Sequence, residues 1–327
     1  MRQKEYPRCD SEERENNRSM NLSNIRQRPY DMYNLATPCR RQHSCYRSRL
    51  DATPAPDFDL EKTFSSGQVF HWTPDGKGFV GALGETPVYI EQEGDAIRMS
   101  EGQASRVTYY LALDHPLSQI VRTFPVDPVM TAAVEFCRGL RIIRQPAWEC
   151  LATFLTSALK QVQHIRSISL AIRKRFGRRL RAEQTEVFSY PSAEVLAKVP
   201  LPELLECKLG FRAANLIATA KIVASGELDL GWLRDLPTEE ARHALCRLPG
   251  VGEKIANCVL LFAYERLDAV PIDVWISRVL REVYFAGRTK LPARDLRAFA
   301  VEYFGSYAGY AQQYLFHHWR LTYRKRQ

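Results

Sequence analysis

The sequence predicts an α+β protein, with a small antiparallel β-sheet domain at residues 51–125 and an all-α region at residues 126–327. Short apolar runs separated by Asp-Gly and Gly-Asp turns predict the sheet, because such turns join antiparallel strands. From Arg106 onward the apolar residues recur at helical spacing, which predicts the helices. A Pro-Gly-Val-Gly segment between two helical patterns, at residues 238–265, predicts a helix-hairpin-helix unit.

Length and composition are those of a protein of about two domains with a sizeable core. The chain has 327 residues, of which 45% are hydrophobic. No apolar run approaches the roughly 18 residues of a membrane-spanning helix, and the polar N-terminus lacks the apolar stretch of a secretory signal. The formal net charge of +9 and the isoelectric point near 9.2 are compatible with a phosphate-rich partner, although many basic proteins bind no nucleic acid.

The first 50 residues differ from the rest of the chain in composition. They contain 11 Lys and Arg against six Asp and Glu, with few aliphatic side chains. Such a segment cannot bury enough apolar surface to order itself, so we expect a disordered basic tail at residues 1–50. Met20 and Met32 are alternative starts, in which case part of this segment is upstream sequence.

The eight cysteines are scattered along the chain and include no Cys-x-x-Cys pair. We interpret them as free thiols in a reducing compartment. None of them follows Cys258, so a four-cysteine cluster site cannot lie in the C-terminal part of the chain. We therefore expect no cofactor.

In the N-terminal domain the strand-like runs are residues 68–72, 78–83, 87–92 and 96–99. The turns between them contain Asp75-Gly76 and Gly94-Asp95, which favour hairpins. Gly67, in the motif Ser66-Gly67-Gln68-x-Phe70-x-Trp72, is most simply a glycine in a turn.

In the second region the clearest helical stretches are residues 147–156, 162–176, 274–286 and 291–304, followed by a closing helix. The second of these ends in a basic run from Arg173 to Arg179, which is either a solvated face or a phosphate contact. On the closing helix, Gln312 and Phe316 lie four residues apart and face the same side. An amphipathic closing helix explains the apolar residues there but gives Gln312 no role.

The hairpin Pro249-Gly250-Val251-Gly252 ends one helix and opens the next. Pro249 cannot continue the first helix, and the two glycines allow backbone angles that other residues resist. Bare N–H groups at the start of the second helix suit a phosphate, because the helix dipole favours an anion there. An ordinary connection between two helices is the alternative.

Three residues near this hairpin could carry chemistry. Lys254 lies on the first helical turn beside an apolar face, where desolvation and the helix dipole lower the pKa of an amine and make it a better nucleophile. Each residue also has a structural interpretation. Lys254 can be a solvated lysine, Asp273 a helix N-cap, and Cys258 a small buried thiol.

The run LPGVGEK at residues 248–254, followed by VPID at 270–273, resembles the helix-hairpin-helix superfamily of DNA base-excision glycosylases. The similarity is closest to the 8-oxoguanine DNA glycosylases, which excise an oxidised guanine and then nick the strand. It covers roughly residues 58–324 and implies a small β domain followed by all-α helix-hairpin-helix glycosylase domains. It also implies that Lys254 attacks C1′ of the nucleotide to form a Schiff base, and that Asp273 stabilises the charge developing on the sugar.

The resemblance further implies a set of lesion-binding residues. The carbonyl of Gly67 would accept a hydrogen bond from N7–H of 8-oxoguanine, which normal guanine cannot donate. Gln312 and Phe316 match the residues that hold the flipped base, and Cys258 is expected beside them.

DNA contacts are implied at two places. Gly250, Val251 and Gly252 of the hairpin would hold a phosphate, with a monovalent cation at the carbonyls of Leu248 and Val251. The segment Leu209-Gly210-Phe211-Arg212 resembles a loop that wedges an aromatic ring, here Phe211, into the base stack. Arg212 of the same loop would point at the orphaned base.

Two stretches depart from the animal and fungal members of the family. Where those members have asparagines and an arginine that read the opposite cytosine, this chain has Leu159 and His164, which cannot make the same hydrogen bonds. Where they have a histidine two residues after the aspartate, this chain has Trp275. We therefore predict weaker selectivity for the opposite base and a bacterial-type member.

The sequence thus predicts a bifunctional DNA glycosylase with β-lyase activity that acts as a monomer on duplex DNA containing 8-oxoguanine. We expect it in the cytoplasm at the nucleoid if bacterial, or in the nucleus if eukaryotic. Two alternatives stay open. One is a monofunctional alkylated-base glycosylase of the same fold, which would not need Lys254. The other is a non-catalytic helix-hairpin-helix module that only binds DNA.

Overall fold

The computed structural model describes residues 49–157, 161–286 and 290–323. All of them belong to one compact unit, which spans residues 47–327. The predicted tail, residues 1–50, lies outside the described residues except for Arg49 and Leu50, and Leu50 already begins the first strand.

The N-terminal part contains a five-stranded antiparallel sheet, as predicted from its turns. Its elements are β1 (Leu50–Pro54), α1 (Leu60–Ser65), β2 (Thr73–Asp75), β3 (Gly78–Leu83), β4 (Thr86–Glu93) and β5 (Ala96–Ser100). The strand order is β1-β5-β4-β3-β2, so β2 to β5 form a meander and β1 pairs with β5 at the edge. Gly94 has φ +58° in the turn between β4 and β5, a conformation that favours glycine. The sequence predicts β3, β4 and β5 but neither β1 nor α1.

The predicted strand at residues 68–72 is wrong. These residues form a buried irregular segment that is not a strand of the sheet. The Gln68 side chain donates to the carbonyl of Arg141 at 2.8 Å and accepts from the N–H of Ile143 at 2.9 Å. Val69, Phe70 and Trp72 are residue types that favour strands, and the hydrogen bonds of Gln68 to a distant loop cannot be recognised from the segment itself.

The rest of the chain is mainly helical. The further helices of the described residues are α2 (Ala104–Tyr110), α3 (Leu117–Arg122), α4 (Pro128–Phe136), α5 (Ala147–Thr156), α6 (Val162–Phe176), α7 (Ala193–Leu196), α8 (Leu201–Leu205), α9 (Arg212–Ala224), α10 (Thr238–Cys246), α11 (Glu253–Tyr264), α12 (Val274–Val279), α13 (Ala293–Phe304) and α14 (Ala308–Thr322). A π-helical turn, Leu280–Tyr284, follows α12, and short 3₁₀ turns lie at Trp232–Arg234 and Gly305–Tyr307. Helices α5 and α6 have the predicted bounds. None of the helices described is both long and apolar enough to cross a membrane.

One β-hairpin interrupts the region predicted to be helical throughout. Its strands are β6 (Arg179–Ala182) and β7 (Thr185–Phe188). Ala182 and Val187 of the hairpin form a small apolar cluster with Val80 and Tyr89 of the sheet. The prediction was wrong here because such short strands owe their conformation to the surface they cover, and local propensity does not show it.

Helix α11 is the centre of the larger core. Its residues 255–264 are all buried, and it packs against α5 and α10. The rings of Phe154 on α5 and Phe262 on α11 are stacked with their centroids 5.4 Å apart. A helix that is apolar on all sides belongs in the interior. Only the first turn of α11, with Glu253 and Lys254, reaches the surface, so the core fixes the position of Lys254.

A buried cluster of charges joins α5 and α6 to the N-terminal part. Arg173, 2% exposed, forms an ion pair with Glu149, and Nδ1 of His71 lies 3.3 Å from the same carboxylate. Burial raises the pKa of Glu149, and the charge of Arg173 opposes that shift. Arg173 therefore fits neither interpretation of the basic run, since it is neither solvated nor available to a phosphate.

Replacing Arg173 by methionine would leave the Glu149 carboxylate buried without its partner. We expect Arg173→Met to lower the free energy of unfolding by roughly 3–5 kcal/mol, the usual cost of breaking a buried ion pair. Lys174→Met, at the exposed next position, is the control and should change this free energy by about 0.5 kcal/mol at most. Urea denaturation measures both, and equal stability of the two variants would contradict the expectation.

Candidate active site and DNA-binding surface

The predicted helix-hairpin-helix is formed by α10, residues 247–252 and α11. Gly250 has φ +78°, and a Cβ on it would lie 2.9 Å from Cγ of Asn215 on α9. Gly252 is the N-cap of α11 and provides no side chain to the first N–H groups of that helix. These N–H groups are therefore available to an external acceptor such as a phosphate.

Gly250→Ala tests how strictly the hairpin requires glycine. We expect a loss of roughly 2–4 kcal/mol in the free energy of unfolding, because the left-handed conformation and the contact with Asn215 both penalise a Cβ. Gly226→Ala separates the two causes. Gly226 has φ +77° but open space around its Cβ position, so it should lose only about 1–2 kcal/mol. Equal losses by chemical denaturation would mean that packing against Asn215 contributes nothing.

Lys254 is half-buried at the start of α11, between that helix and the C-terminal end of α5. Its Nζ donates to Oγ of Ser157 at 3.2 Å and lies 5.5 Å from the centroid of the Phe154 ring. Oγ of Ser157 in turn donates to the carbonyl of Phe154 at 2.6 Å. The amine thus contacts three neutral groups, the Ser157 hydroxyl, the Cys258 thiol and the Phe154 ring. Among the described residues, no carboxylate forms an ion pair with it.

Cys258 lies one turn further along α11 and is buried. Burial raises the pKa of its thiol to about 11, although the nearby Lys254 ammonium opposes the shift. The thiol is therefore protonated at neutral pH. This environment agrees with the structural interpretation of a small buried thiol, and it also places the sulfur next to the Lys254 amine.

Asp273 is the N-cap of α12. Its Oδ1 accepts a hydrogen bond from the N–H of Ile276 at 2.8 Å, which confirms that Asp273 is a helix N-cap. Burial raises the pKa of its carboxyl, and the N–H of Ile276 and the charges of Lys254 and Arg320 oppose that shift. Between the described side chains of Asp273 and Lys254 there is no direct ion pair, but they are close enough to interact electrostatically.

Gly67 and Phe316, far apart in the chain, lie against each other. Gly67 has φ +87°, and a Cβ on it would lie 3.0 Å from Cε1 of Phe316 and 3.3 Å from Cγ2 of Val162. Gln312 precedes Phe316 by one turn of α14 and is 4% exposed. Its Oε1 is buried and has no hydrogen-bond partner in the part of the chain that is described. A buried polar atom without a partner is unusual and marks a position that a ligand can satisfy.

The loop before α9 presents Phe211 and Arg212 differently. Phe211 is 69% exposed, whereas Arg212 is buried. The Arg212 guanidinium stacks 4.3 Å from the centroid of the Phe211 ring and donates to the carbonyl of Leu209 at 3.2 Å. The aromatic side chain thus projects from the surface as predicted for a wedge, but the arginine is folded back beneath it.

Three residues depart from the pattern of the animal and fungal glycosylases, and the structure describes two of them, His164 and Trp275. Leu159 lies outside the described residues, and His164 is exposed on α6. Trp275 is half-buried, with its ring 6.2 Å from that of Tyr323. The Arg278 guanidinium lies over both rings, at 5.4 Å from Trp275 and 5.0 Å from Tyr323. Trp275 is thus part of a stack of two aromatic rings and an arginine.

Sequence reasoning missed two residues at this site. Ser157, the hydrogen-bond partner of Lys254, directly follows α5. Arg320 lies one turn after Phe316, with its guanidinium 5.5 Å from that ring. The spacing of Gln312, Phe316 and Arg320, each four residues apart, is the pattern that could have identified it.

Comparison with known families assigns the two regions separately. Residues 154–301 match the family model of HhH-GPD superfamily base excision DNA repair proteins. Residues 51–151 match the model of the N-terminal domain of 8-oxoguanine DNA glycosylase. These two matches define a base-excision repair protein of the helix-hairpin-helix class.

Similarity to individual proteins identifies the family within this class. The N-glycosylase/DNA lyase OGG1 of Arabidopsis thaliana is 31% identical over 288 residues, which cover 80% of this chain and 77% of that protein. A probable N-glycosylase/DNA lyase of Methanothermobacter thermautotrophicus is 29% identical, over 82% of this chain and 96% of its own length. The apo structure of Clostridium acetobutylicum 8-oxoguanine glycosylase/lyase superposes with a TM-score of 0.77 at 28% identity, over 83% of this chain and 97% of that one. The chain belongs to the 8-oxoguanine DNA glycosylase family.

Proposed function

We propose that this protein removes 8-oxoguanine from duplex DNA and then cuts the strand by β-elimination. One observation carries the proposal. The Lys254 amine is held at the open end of the hairpin helix, within electrostatic reach of Asp273. A base-binding protein without catalysis needs neither the amine nor the carboxylate in this arrangement.

The lesion pocket is formed by Gly67, Gln312 and Phe316. The flipped base would stack on the Phe316 ring, and the free Oε1 of Gln312 would accept hydrogen bonds from N–H groups of the base. The carbonyl of Gly67 would accept from N7–H of 8-oxoguanine. Guanine carries a lone pair at N7 and would meet this carbonyl as a second acceptor.

The chemistry uses Lys254 as the nucleophile. Its neutral amine attacks C1′ as the bond from C1′ to N9 breaks, and the base leaves with the electron pair and takes up a proton. Ring opening gives a Schiff base between Nζ and C1′. Loss of a proton from C2′ then expels the 3′ phosphate and cuts the strand on the 3′ side. The Asp273 carboxylate stabilises the positive charge on the sugar and assists in deprotonating the amine.

The hairpin would hold a phosphate of the damaged strand through the bare N–H groups of α11. A monovalent cation fits the same loop. The carbonyl of Leu248 accepts one hydrogen bond, from the N–H of Val251 at 3.1 Å, which leaves its second lone pair for a cation. No donor among the described residues reaches the carbonyl of Val251. The cation would lend positive charge to the phosphate site.

Phe211 would fill the gap left by the flipped base, since its exposed ring can replace lost stacking. Arg212 would have to turn away from the carbonyl of Leu209 to reach the orphaned base. With Leu159 and His164 in place of base-reading side chains, we expect relaxed selectivity for that base. These replacements and Trp275 together support a bacterial-type member, which would act at the nucleoid.

Borohydride trapping with wild-type protein tests the proposal. The substrate is a duplex with one 8-oxoguanine, prepared with each of the four bases opposite, beside duplexes with guanine or an alkylated purine. We expect a covalent adduct and a nicked strand for 8-oxoguanine, with less than about a tenfold spread across the opposite bases. Base release without an adduct would indicate a monofunctional enzyme. Salt-dependent binding without release on any duplex would indicate a binding module.

A further inference from the structure

The backbone around Gly67 is held by side chains from two other elements. The carbonyl of Ser65 accepts a hydrogen bond from Nη2 of Arg320 at 2.9 Å. The carbonyl of Ser66 accepts one from Nε2 of Gln313 at 3.0 Å. On the other side of Gly67, the carbonyl of Gln68 accepts one from Nε2 of Gln145 at 2.7 Å.

The carbonyl of Gly67 differs from those of Ser65, Ser66 and Gln68, each of which accepts a side-chain hydrogen bond. Within the described residues, no donor reaches its carbonyl oxygen, although both neighbouring peptide groups are fixed. Its φ of +87° also turns the peptide in a way that only glycine accepts easily. The arrangement leaves one acceptor without a partner and restrains the chain on both sides of it.

Two of the three donors come from α14, the helix that carries Gln312 and Phe316. Gln313 is 3% exposed, and Arg320 contacts the Phe316 ring and also approaches Nδ1 of His317 at 3.4 Å. Burial lowers the pKa of His317 to about 3, so this imidazole is neutral and can accept from Arg320. The segment with the lesion-reading carbonyl is thus attached to the same helix as the rest of the pocket.

We propose that Gln313 and Arg320 are positioning residues that hold the Gly67 carbonyl at a fixed distance from N7 of the flipped base and so set the discrimination between 8-oxoguanine and guanine. This inference rests on the proposed function. A rigid carbonyl rejects guanine because two acceptors are forced together, whereas a carbonyl that can retreat tolerates both bases. Removing the hydrogen bonds of Gln313 or Arg320 to residues 65 and 66 should therefore lower the affinity for 8-oxoguanine. It should also reduce the free-energy penalty for binding guanine.

Binding measured without chemistry tests this directly. In a Lys254→Gln background, Kd is measured for two duplexes of the same sequence that differ only in 8-oxoguanine or guanine opposite cytosine, at fixed salt and mildly alkaline pH. Gln313→Met and Arg320→Met are each expected to reduce the ratio of the two Kd values by roughly tenfold, the worth of one well-placed hydrogen bond. Arg320→Lys should recover part of the ratio because it keeps a donor. Arg294→Met, an exposed arginine on α13, should leave the ratio unchanged.

Cleavage of a duplex with a preformed abasic site is the second readout, with Lys254 intact. It needs the Schiff base but no base in the pocket. Gln313→Met keeps every charge around Asp273, so it should keep this cleavage within about threefold of wild type. Loss of this cleavage together with lesion binding would show a general structural role and overturn the inference. An unchanged Kd ratio in both variants would overturn it as well. A wild-type protein with no preference for 8-oxoguanine would overturn the proposed function itself.

Discussion

Lys254→Gln is expected to abolish the borohydride-trappable adduct on 8-oxoguanine DNA while leaving the affinity for that DNA nearly unchanged. Glutamine has similar length and can still donate to Oγ of Ser157, so the start of α11 should fold as in the wild type. It has no amine that can form an imine, so strand cutting should fall by at least about a thousandfold, the scale of losing an activated nucleophile. Denaturing electrophoresis of trapped and nicked products measures both losses.

Lys221→Gln is the matched control, because Lys221 is an exposed lysine on α9. It should keep full trapping and cutting. An adduct that persists in Lys254→Gln would mean that another amine forms the Schiff base. Base release that continues at the wild-type rate without an adduct would mean that water, and not Lys254, displaces the base.

The hairpin could be predicted from the sequence because its causes are local. Proline and glycine end and begin helices by their own backbone restrictions, and α11 is apolar enough to be recognised as a central helix. The roles of Lys254 and Asp273 came from the resemblance to the glycosylase superfamily, because each residue alone also has a structural interpretation. The structure brings them within electrostatic reach of each other, which the spacing alone could not establish.

Other features depend on contacts between distant segments. Residues 68–72 look like a strand, but Gln68 is satisfied by a loop more than 70 residues away. Arg173 belongs to a basic run by sequence and to a buried ion pair in the structure, because Glu149 lies opposite it on another helix. No local pattern contains either partner, so neither outcome could be read from the segment itself.

In the lesion pocket, too, local spacing predicts some features and contacts between distant segments determine the others. Gln312 and Phe316 could be paired by helical spacing, and Gly67 was placed with them through the family resemblance alone. The structure supplies the contact between Gly67 and Phe316 and the hydrogen bonds of Gln313 and Arg320 to the preceding carbonyls. Main-chain acceptors have no residue-type signature, so their donors cannot be found without coordinates.

Asp273→Asn is the second change for which we expect a large effect. Asparagine keeps an oxygen that can accept from the N–H of Ile276, and it is as good an N-cap as aspartate, so α12 should keep its start. The negative charge is lost. We expect single-turnover base release to slow by about 10²–10⁴-fold, since charge stabilisation and proton transfer are both removed. Asp273→Ala should slow the reaction similarly but also destabilise the protein by about 1 kcal/mol through the lost cap.

The pH dependence of base release distinguishes the charge of Asp273 from its capping role. Burial raises the pKa of this carboxyl above its ordinary value of about 4. Because the ionised form is the active one, the wild-type rate should be full at higher pH and fall as the pH drops through that raised pKa. Asp273→Asn has no group that titrates there, so its residual rate should lack this acid limb. If the limb persists unchanged in Asp273→Asn, it belongs to another group. A wild-type rate in Asp273→Asn would mean that Asp273 acts through the helix cap alone.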